Sequence, residues 1–595
     1  MPGTSNDILQ QALKFHQEGN LVEAEQRYLT LLKTSQENTQ ALFLLGSLYG
    51  QSGRLPDAIQ VLKRVISKDP KHLDAHNNLA LAFEFSGNIP QAIETCEHAL
   101  RFSPDSAVLH NNLGDLYQKC SNHQKAEQHL SKALQLKPDY EAAMINLAIV
   151  YCHNETFDKS EALFKQALNI NPNNAKTYCN YSALSQSRKN YVQAESFARK
   201  ALELQPNYPQ AISNLGNALL RQDKHEEAEH CFSQAIKLKP DYLEAYNNLG
   251  FLYHNTTRFH DALNIYDKAV NIDPNNHDNY WYRSFTHFQL GNFKQAWADY
   301  EHGLKNGGRD SRAFPFPLWK HETDQDKTLL VYAEQGIGDQ IMFASCLADL
   351  LQTRKKVILE CERRLQPLFT RSFPKVRVIG TKQNSDLTWL NSFPEIEHQI
   401  ALGSLGKFYR NDMKDFPKVK SYLVADKDKQ QKWQDRYAML GGKLTIGISW
   451  QGGINIDHNK RSMTLESWLP ILKTPDCQFV NLQYGQHETE LDMLRSKHNI
   501  IIHDWPDSDS LIELDDFAAQ ISALDLVISV GNTNVHLAGA LGVPAWCIIP
   551  LVPSWRWMAD GTHSPWYSSV RLYRQKQADE WATVINEIHE NLSQM

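Results

Sequence analysis

Two stretches place polar groups where a parallel sheet would offer them to a ligand. Residues 334–339 read Glu-Gln-Gly-Ile-Gly-Asp, after the apolar run 329–333 and before Gln-Ile-Met-Phe at 340–343. Gly336 and Gly338 permit a tight turn and close approach of a ligand. Asp339 is the carboxylate at the exit of that turn. It could act as a general base toward a hydroxyl, and Asp is equally a preferred helix N-cap; spacing alone does not choose. Residues 530–540, Val-Gly-Asn-Thr-Asn-Val-His-Leu-Ala-Gly-Ala, run from an apolar segment into a small-residue helix. The first N–H groups of such a helix suit an anion, and Asn532, Thr533 and His536 add polar donors.

Two further segments could share a ligand with these. Ser449-Trp450-Gln451-Gly452-Gly453 is a Gly-rich turn with Lys460 and Arg461 close behind. That combination suits a diphosphate, although Lys and Arg are commonplace in solvated loops. Gln483 and Tyr484 follow another apolar run and could meet a base or ribose. Neither Gly-x-Gly-x-x-Gly nor a P-loop is present. Asp507-Ser508-Asp509 fits an Asp-x-Asp pattern but reads as loop and helix capping. No Cys/His set has ligand spacing, so no metal and no cofactor is expected.

These segments need strands to position them. Strands are predicted over 328–333, 357–360, 376–379, 444–450, 478–482, 500–503, 526–530 and 545–549, alternating with helical patterns. Such alternation implies parallel sheets with crossover helices. The polar stretch 426–443 separates a first lobe, 328–425, from a second, 444–595. Ligands of such folds bind at the carboxyl ends of strands, so the predicted site lies in the crevice between the lobes. Residues 311–327, with Pro315 and Pro317, read as a linker.

The region 1–310 is a repeat array. Stepping by 34 from Ala24 gives Ala58, Ala92, Ala126, Ser160, Ala194, Ala228, Ala262 and Ala296. Small residues at this period let paired helices approach closely. A second small column runs through Gly46, Ala80, Gly114, Ala148 and Gly216, and prolines recur from Pro70 to Pro274. Asn78, Asn112, Asn146, Asn180, Asn214 and Asn248 form a column that packing does not explain, because Asn is a mediocre helix former. Its amide donates and accepts, so it could hold a peptide main chain; it could equally be a polar rung between helices.

Composition limits the remaining classes. The 595 residues carry 61 Lys+Arg and 68 Asp+Glu, a net charge of −7. That argues against a general nucleic-acid binder. No apolar run spans a bilayer, and the N-terminus does not read as a signal peptide. Nine dispersed cysteines without a Cys-x-x-Cys pair fit reduced thiols, hence a cytoplasmic location.

The array resembles tetratricopeptide (TPR) repeats, about nine copies in a superhelix. Its asparagine column is similar to the ladder by which O-GlcNAc transferases hold substrate main chains. Residues 327–575 resemble the heptosyltransferase-like glycosyltransferases (glycosyltransferase family 9), of the metal-independent GT-B fold with two Rossmann-like lobes. The matching stretches are 334–339, 532–542 and Trp555-Arg556-Trp557 leading to Ser564-Pro565-Trp566-Tyr567. Two positions depart from that family: Gly531 replaces an aspartate and Asn532 a threonine, which removes a carboxylate beside the donor.

The resemblance implies an inverting glycosyltransferase. Asp339 would be the base. Gly338, Ser449, Lys460, Arg461, Gln483, Tyr484, Asn532, Thr533 and His536 would hold a nucleotide-sugar. The expected partner is an acceptor protein in the TPR groove, modified at Ser/Thr, with flagellin as the example set by similar bacterial fusions. The alternatives are a transferase acting on lipopolysaccharide or another glycan, and a non-catalytic adaptor with a degenerate transferase domain. The sequence leaves the oligomeric state open, a homo-oligomer included.

Overall fold

The computed structural model describes residues 5–321, 326–382, 387–452, 462–505, 507–508, 510–578 and 580–595. The chain divides into two compact units, Met1–Tyr242 and Leu243–Met595.

Among its described residues the first unit is a succession of fourteen helices in seven pairs. The leading helices are Ser5–Gln17 (α1), Thr39–Gln51 (α3), Leu73–Phe85 (α5), Ala107–Lys119 (α7), Glu141–His153 (α9), Ala175–Ser187 (α11) and Pro209–Leu220 (α13). Their partners run from Leu21–Thr34 (α2) to His225–Leu238 (α14). Side chains of Asn20, Asn38, Asn88, Ser106, Asn122, Asn174 and Asn190 cap helix starts by accepting a backbone N–H, the role for which these residue types are favoured.

The 34-residue columns have two physical causes. The Ala24 column is fully buried at every copy from Ala24 to Ala228, Ser160 included. The Gly46 column forms notches for the residue sixteen later. A Cβ on Gly46 would stand 2.8 Å from Leu62, and one on Gly216 2.7 Å from Phe232. Where the later residue is small, as at Cys96 and Ala198, the notch holds Ala80 and Ser182 instead.

The second unit opens with Leu243–Asn255 (α15), Phe259–Ile272 (α16), His277–Gln289 (α17) and Phe293–Tyr300 (α18). Two wholly parallel sheets follow. The first contains Thr328–Tyr332 (β1), Val357–Glu362 (β2), Arg377–Thr381 (β3) and Ile396–Ala401 (β4), in the order β3-β2-β1-β4. The second contains Leu444–Ser449 (β5), Cys477–Asn481 (β6), Ile502–His503 (β7), Leu526–Val530 (β8), Ala545–Ile549 (β9) and Val570–Arg574 (β10), in the order β10-β9-β8-β5-β6-β7. This half is an α/β structure. β1 and β8 are buried at every residue, as expected of parallel strands covered on both faces. Strand order reverses between β1 and β4, and again between β5 and β8. Those are the switch points at which ligands of open α/β sheets collect.

The last repeats are built into this α/β core. Phe288, Trp297 and Tyr300 pack with Phe343, Trp555 and Trp566 in one buried cluster. Trp297 Nε1 donates to the Arg410 carbonyl at 2.7 Å. Arg309, with no side-chain exposure, donates to Glu334 Oε1 (2.8 Å), Glu301 Oε1 (2.9 Å) and Ser404 Oγ (2.9 Å). The Gly403 N–H also reaches Glu334 Oε1, so a guanidinium–carboxylate pair fills the switch point of the first sheet. Beyond it, Arg312 pairs with buried Glu360 at 2.6 Å, and Trp319 N–H donates to the Gln399 carbonyl.

Among the described residues no helix is long and apolar enough to cross a membrane.

Candidate functional site

The helix Ile337–Ala344 follows β1 and the helix Thr533–Leu541 follows β8. They meet at Gly338: a Cβ there would lie 3.0 Å from His536 Cδ2 and 3.5 Å from Thr533 Oγ1. A side chain at 338 would crowd His536, and the close approach brings Gly338, Asp339, Thr533 and His536 together.

Asp339 is not free-standing. Arg556 Nε and Nη2 lie 2.6 and 2.5 Å from Asp339 Oδ1, and Arg556 Nη1 donates to Ser554 Oγ at 2.9 Å. The pair joins the turn after β1 to the loop after β9.

His536 is buried and uncharged. Burial, with a smaller contribution from Arg556, pushes its pKa down to about 3. Nδ1 lies 2.8 Å from the Tyr567 hydroxyl, and Tyr422 on the neighbouring segment donates to the Ile341 carbonyl at 2.9 Å. Trp557 stacks on the imidazole, centroids 5.1 Å apart. The same indole fills the space beside Gly531, where a Cβ would stand 2.9 Å from Trp557 Nε1.

A second group surrounds the β5/β8 switch point. The Ser449 hydroxyl donates to Gln483 Oε1 (2.9 Å), which also accepts the N–H groups of Trp450 (3.1 Å) and Gln451 (2.9 Å). Asn532 Nδ2 donates to Ser449 Oγ (2.8 Å), and Asn532 Oδ1 caps the following helix at Asn534 N–H (3.0 Å). All three side chains are buried, and their groups go to one another, to backbone and to Ser529, whose hydroxyl donates to Asn532 Oδ1 (3.1 Å). They tie the ends of β5, β6 and β8 together. Tyr484 is half-buried on the loop after β6. Lys460 and Arg461 lie outside the described residues.

Sequence reasoning assigned no role to Arg556, Trp557, Tyr567 or Tyr422. The visible signal was a lone cation between tryptophans at 555–557. It also missed His487 and Asp504, which meet at the carboxyl ends of β6 and β7. His487 Nε2 lies 3.4 Å from Asp504 Oδ2, and Asn481 Nδ2 donates to Oδ1 at 2.9 Å. The hydrogen bond raises the His487 pKa and lowers that of Asp504.

In the repeats, the asparagine amides point to the preceding copy. Asn112 Nδ2 donates to Asn77 Oδ1 (2.5 Å), Asn146 Nδ2 to Asn111 Oδ1 (3.1 Å), and Asn214 Nδ2 to the Cys179 carbonyl (3.0 Å). Each step is 35 residues back. Asn78 Nδ2 reaches Ser47 Oγ at 2.9 Å. Asn180 Nδ2 is buried without a hydrogen-bond partner, and Asn248 is half-buried on α15. The donors thus form rungs between leading helices.

Residues 105–173, 139–207 and 207–275 match the tetratricopeptide repeat family, and residues 9–71 and 43–107 match a second description of the same repeat. Residues 9–275 carry TPR repeats. The chain is also 30% identical over 313 residues to protein FlbA of Caulobacter vibrioides, covering 50% of this chain and 52% of FlbA. It therefore spans about half the length of this curated relative. Among solved structures, a TPR protein of Parabacteroides merdae is 20% identical over 42% of this chain and 99% of its own, with a TM-score of 0.39. PilF of Pseudomonas aeruginosa is 23% identical over 35% of this chain and 94% of its own, with a TM-score of 0.31. TPR repeats are protein-interaction modules, and their stacking creates extended binding surfaces.

Proposed function

We propose that the chain is a GT-B-type glycosyltransferase that moves a sugar from a nucleotide-sugar to a Ser/Thr hydroxyl of a protein bound by its TPR repeats. The observation that carries this reading is the meeting of Gly338, Asp339, Thr533 and His536 at the facing carboxyl ends of two parallel sheets. In it Asp339 takes the acceptor proton. Thr533 and the helix start behind it receive the donor phosphates, and neutral His536 fixes that helix against Gly338. Flagellin as acceptor rests on resemblance alone.

Two observations favour a second reading, a TPR adaptor without catalysis. Trp557 fills the space beside Gly531, and Arg556 occupies Asp339.

Thermal melts of the full chain with ADP, GDP, UDP and CMP separate the two. A nucleotide at a hundred times its Kd stabilises by about 2.7 kcal/mol. The transferase reading expects one nucleotide to do so in wild type and in Asp339→Asn, and only wild type to transfer sugar. Folded samples that respond to none establish the adaptor.

A further inference from the structure

The Asp339–Arg556 pair differs from an ordinary surface ion pair in three ways. Its members come from different lobes, one after β1 and one after β9. Both retain water contact, at 15% and 23% side-chain exposure, so the pair can open without unpacking a core. Two guanidinium nitrogens converge on the single oxygen Oδ1, while Nη1 is held by Ser554.

The backbone beneath Arg556 is fixed. Arg574, at the end of β10, donates to the carbonyls of Trp557 (2.6 Å), Met558 (3.1 Å), Asp560 (3.0 Å) and Gly561 (2.7 Å). From the other side, Gln289 Nε2 donates to the Pro553 carbonyl (2.5 Å), and the Ala559 N–H donates to the Gln289 carbonyl (3.1 Å). Opening the pair therefore needs only a rotation of the Arg556 stem, with the loop staying in place.

With two Arg556 nitrogens on Oδ1, that oxygen is occupied and closed to an acceptor hydroxyl. The guanidinium fork itself matches the oxygens of a phosphate. We propose that Asp339–Arg556 is a latch opened by a diphosphate: the ligand takes the Arg556 fork and leaves Asp339 an unpaired carboxylate beside new negative charge. The freed Oδ1 can then accept the proton of a hydroxyl. The base is thus armed only when the diphosphate is in place. The inference rests on the transferase reading and adds to it an order of binding, donor before proton transfer.

Inorganic pyrophosphate is the probe, titrated calorimetrically into the full chain at fixed ionic strength. Asp339→Asn removes the competing charge and is expected to bind pyrophosphate about three- to tenfold more tightly than wild type. Arg556→Gln is expected to bind about tenfold or more weakly, as loss of a charged hydrogen-bond donor implies. Arg556→Lys keeps the charge, loses the fork and falls between. Circular dichroism checks that each variant is folded; if Arg556→Gln is not, Asp339→Asn decides. No gain in folded Asp339→Asn, or equal affinity in wild type and Arg556→Gln, overturns the latch. If a nucleoside diphosphate still raises the melting temperature in that case, the transferase reading survives. If no protein responds to pyrophosphate or to any nucleotide, the latch and the transferase reading fall together.

Discussion

His536 shows how far one side chain can be governed by its surroundings. Its ordinary pKa of 6.5 is pushed to about 3, first by burial and then by Arg556. Between these values the unfolded chain binds a proton that the folded chain excludes. Stability is therefore complete above pH 6.5 and falls as pH drops below it, by about 1.4 kcal/mol per pH unit for one such group. His254, lowered to about 4 by burial, adds to the slope in wild type and variant alike. His536→Gln should make the loss between pH 6.5 and 4.5 shallower by about one proton. Urea midpoints across that range measure it; an unchanged slope would mean that His536 titrates normally. The sequence announced this residue and its neighbours well: Gly338, Asp339, Thr533 and His536 all follow glycine-punctuated turns after apolar strands. It could not announce the partner of Asp339, which lies 217 residues away. Nor could it show that Ser449, Gln483 and Asn532 bond mainly to one another, because side-chain direction at a loop is a tertiary matter.

Among elements, the turn within each repeat carries a feature that the sequence reading passed over. Gly19, Gly53, Gly87, Ser121, Glu155, Lys189, Asp223, Thr257 and Gly291 recur every 34 residues, all with φ between 57° and 80°. Glycine adopts this left-handed conformation without strain, whereas other residues are penalised by their Cβ. Thr257 is the β-branched case, exposed on its turn with φ 61°. Thr257→Gly should stabilise the unit by about 1 kcal/mol, read as a higher urea midpoint; a decrease would show that the turn is held by the threonine side chain. The period of the array was plain because duplication repeats the same packing problem. The face on which each asparagine lies was not, since a helix with small residues and Asn presents no single apolar stripe. Strands β4 and β10 were missed for a related reason. Glu397, His398 and Gln399 interrupt β4, and Arg571 and Arg574 interrupt β10. Both are edge strands, where one side need not be apolar.

For the whole molecule, the join of α17 and α18 to the α/β half determines the stability of the second unit. Trp297 is 1% exposed, packs against Gly406, Phe288 and Phe343, and bonds to Arg410. Trp297→Ala should cost about 3–5 kcal/mol. All thirteen tryptophans fall at or after Trp281, within Leu243–Met595. Tryptophan fluorescence during urea unfolding therefore reports that unit alone, and its midpoint should fall sharply. A midpoint within error of wild type would show that these helices are not part of its core.

Gln289 clasping the 553–559 loop has a consequence for how such a protein can diversify. Interior repeats answer only to their neighbours, so copies can be gained or lost in 34-residue steps. The ninth copy answers to the α/β half as well, through Gln289, Phe288 and Trp297. Its residues are held in place by a neighbour that does not duplicate with it. Lengthening or shortening of the array is therefore a one-ended process, open at the N-terminal side and closed where the repeats meet the sheets.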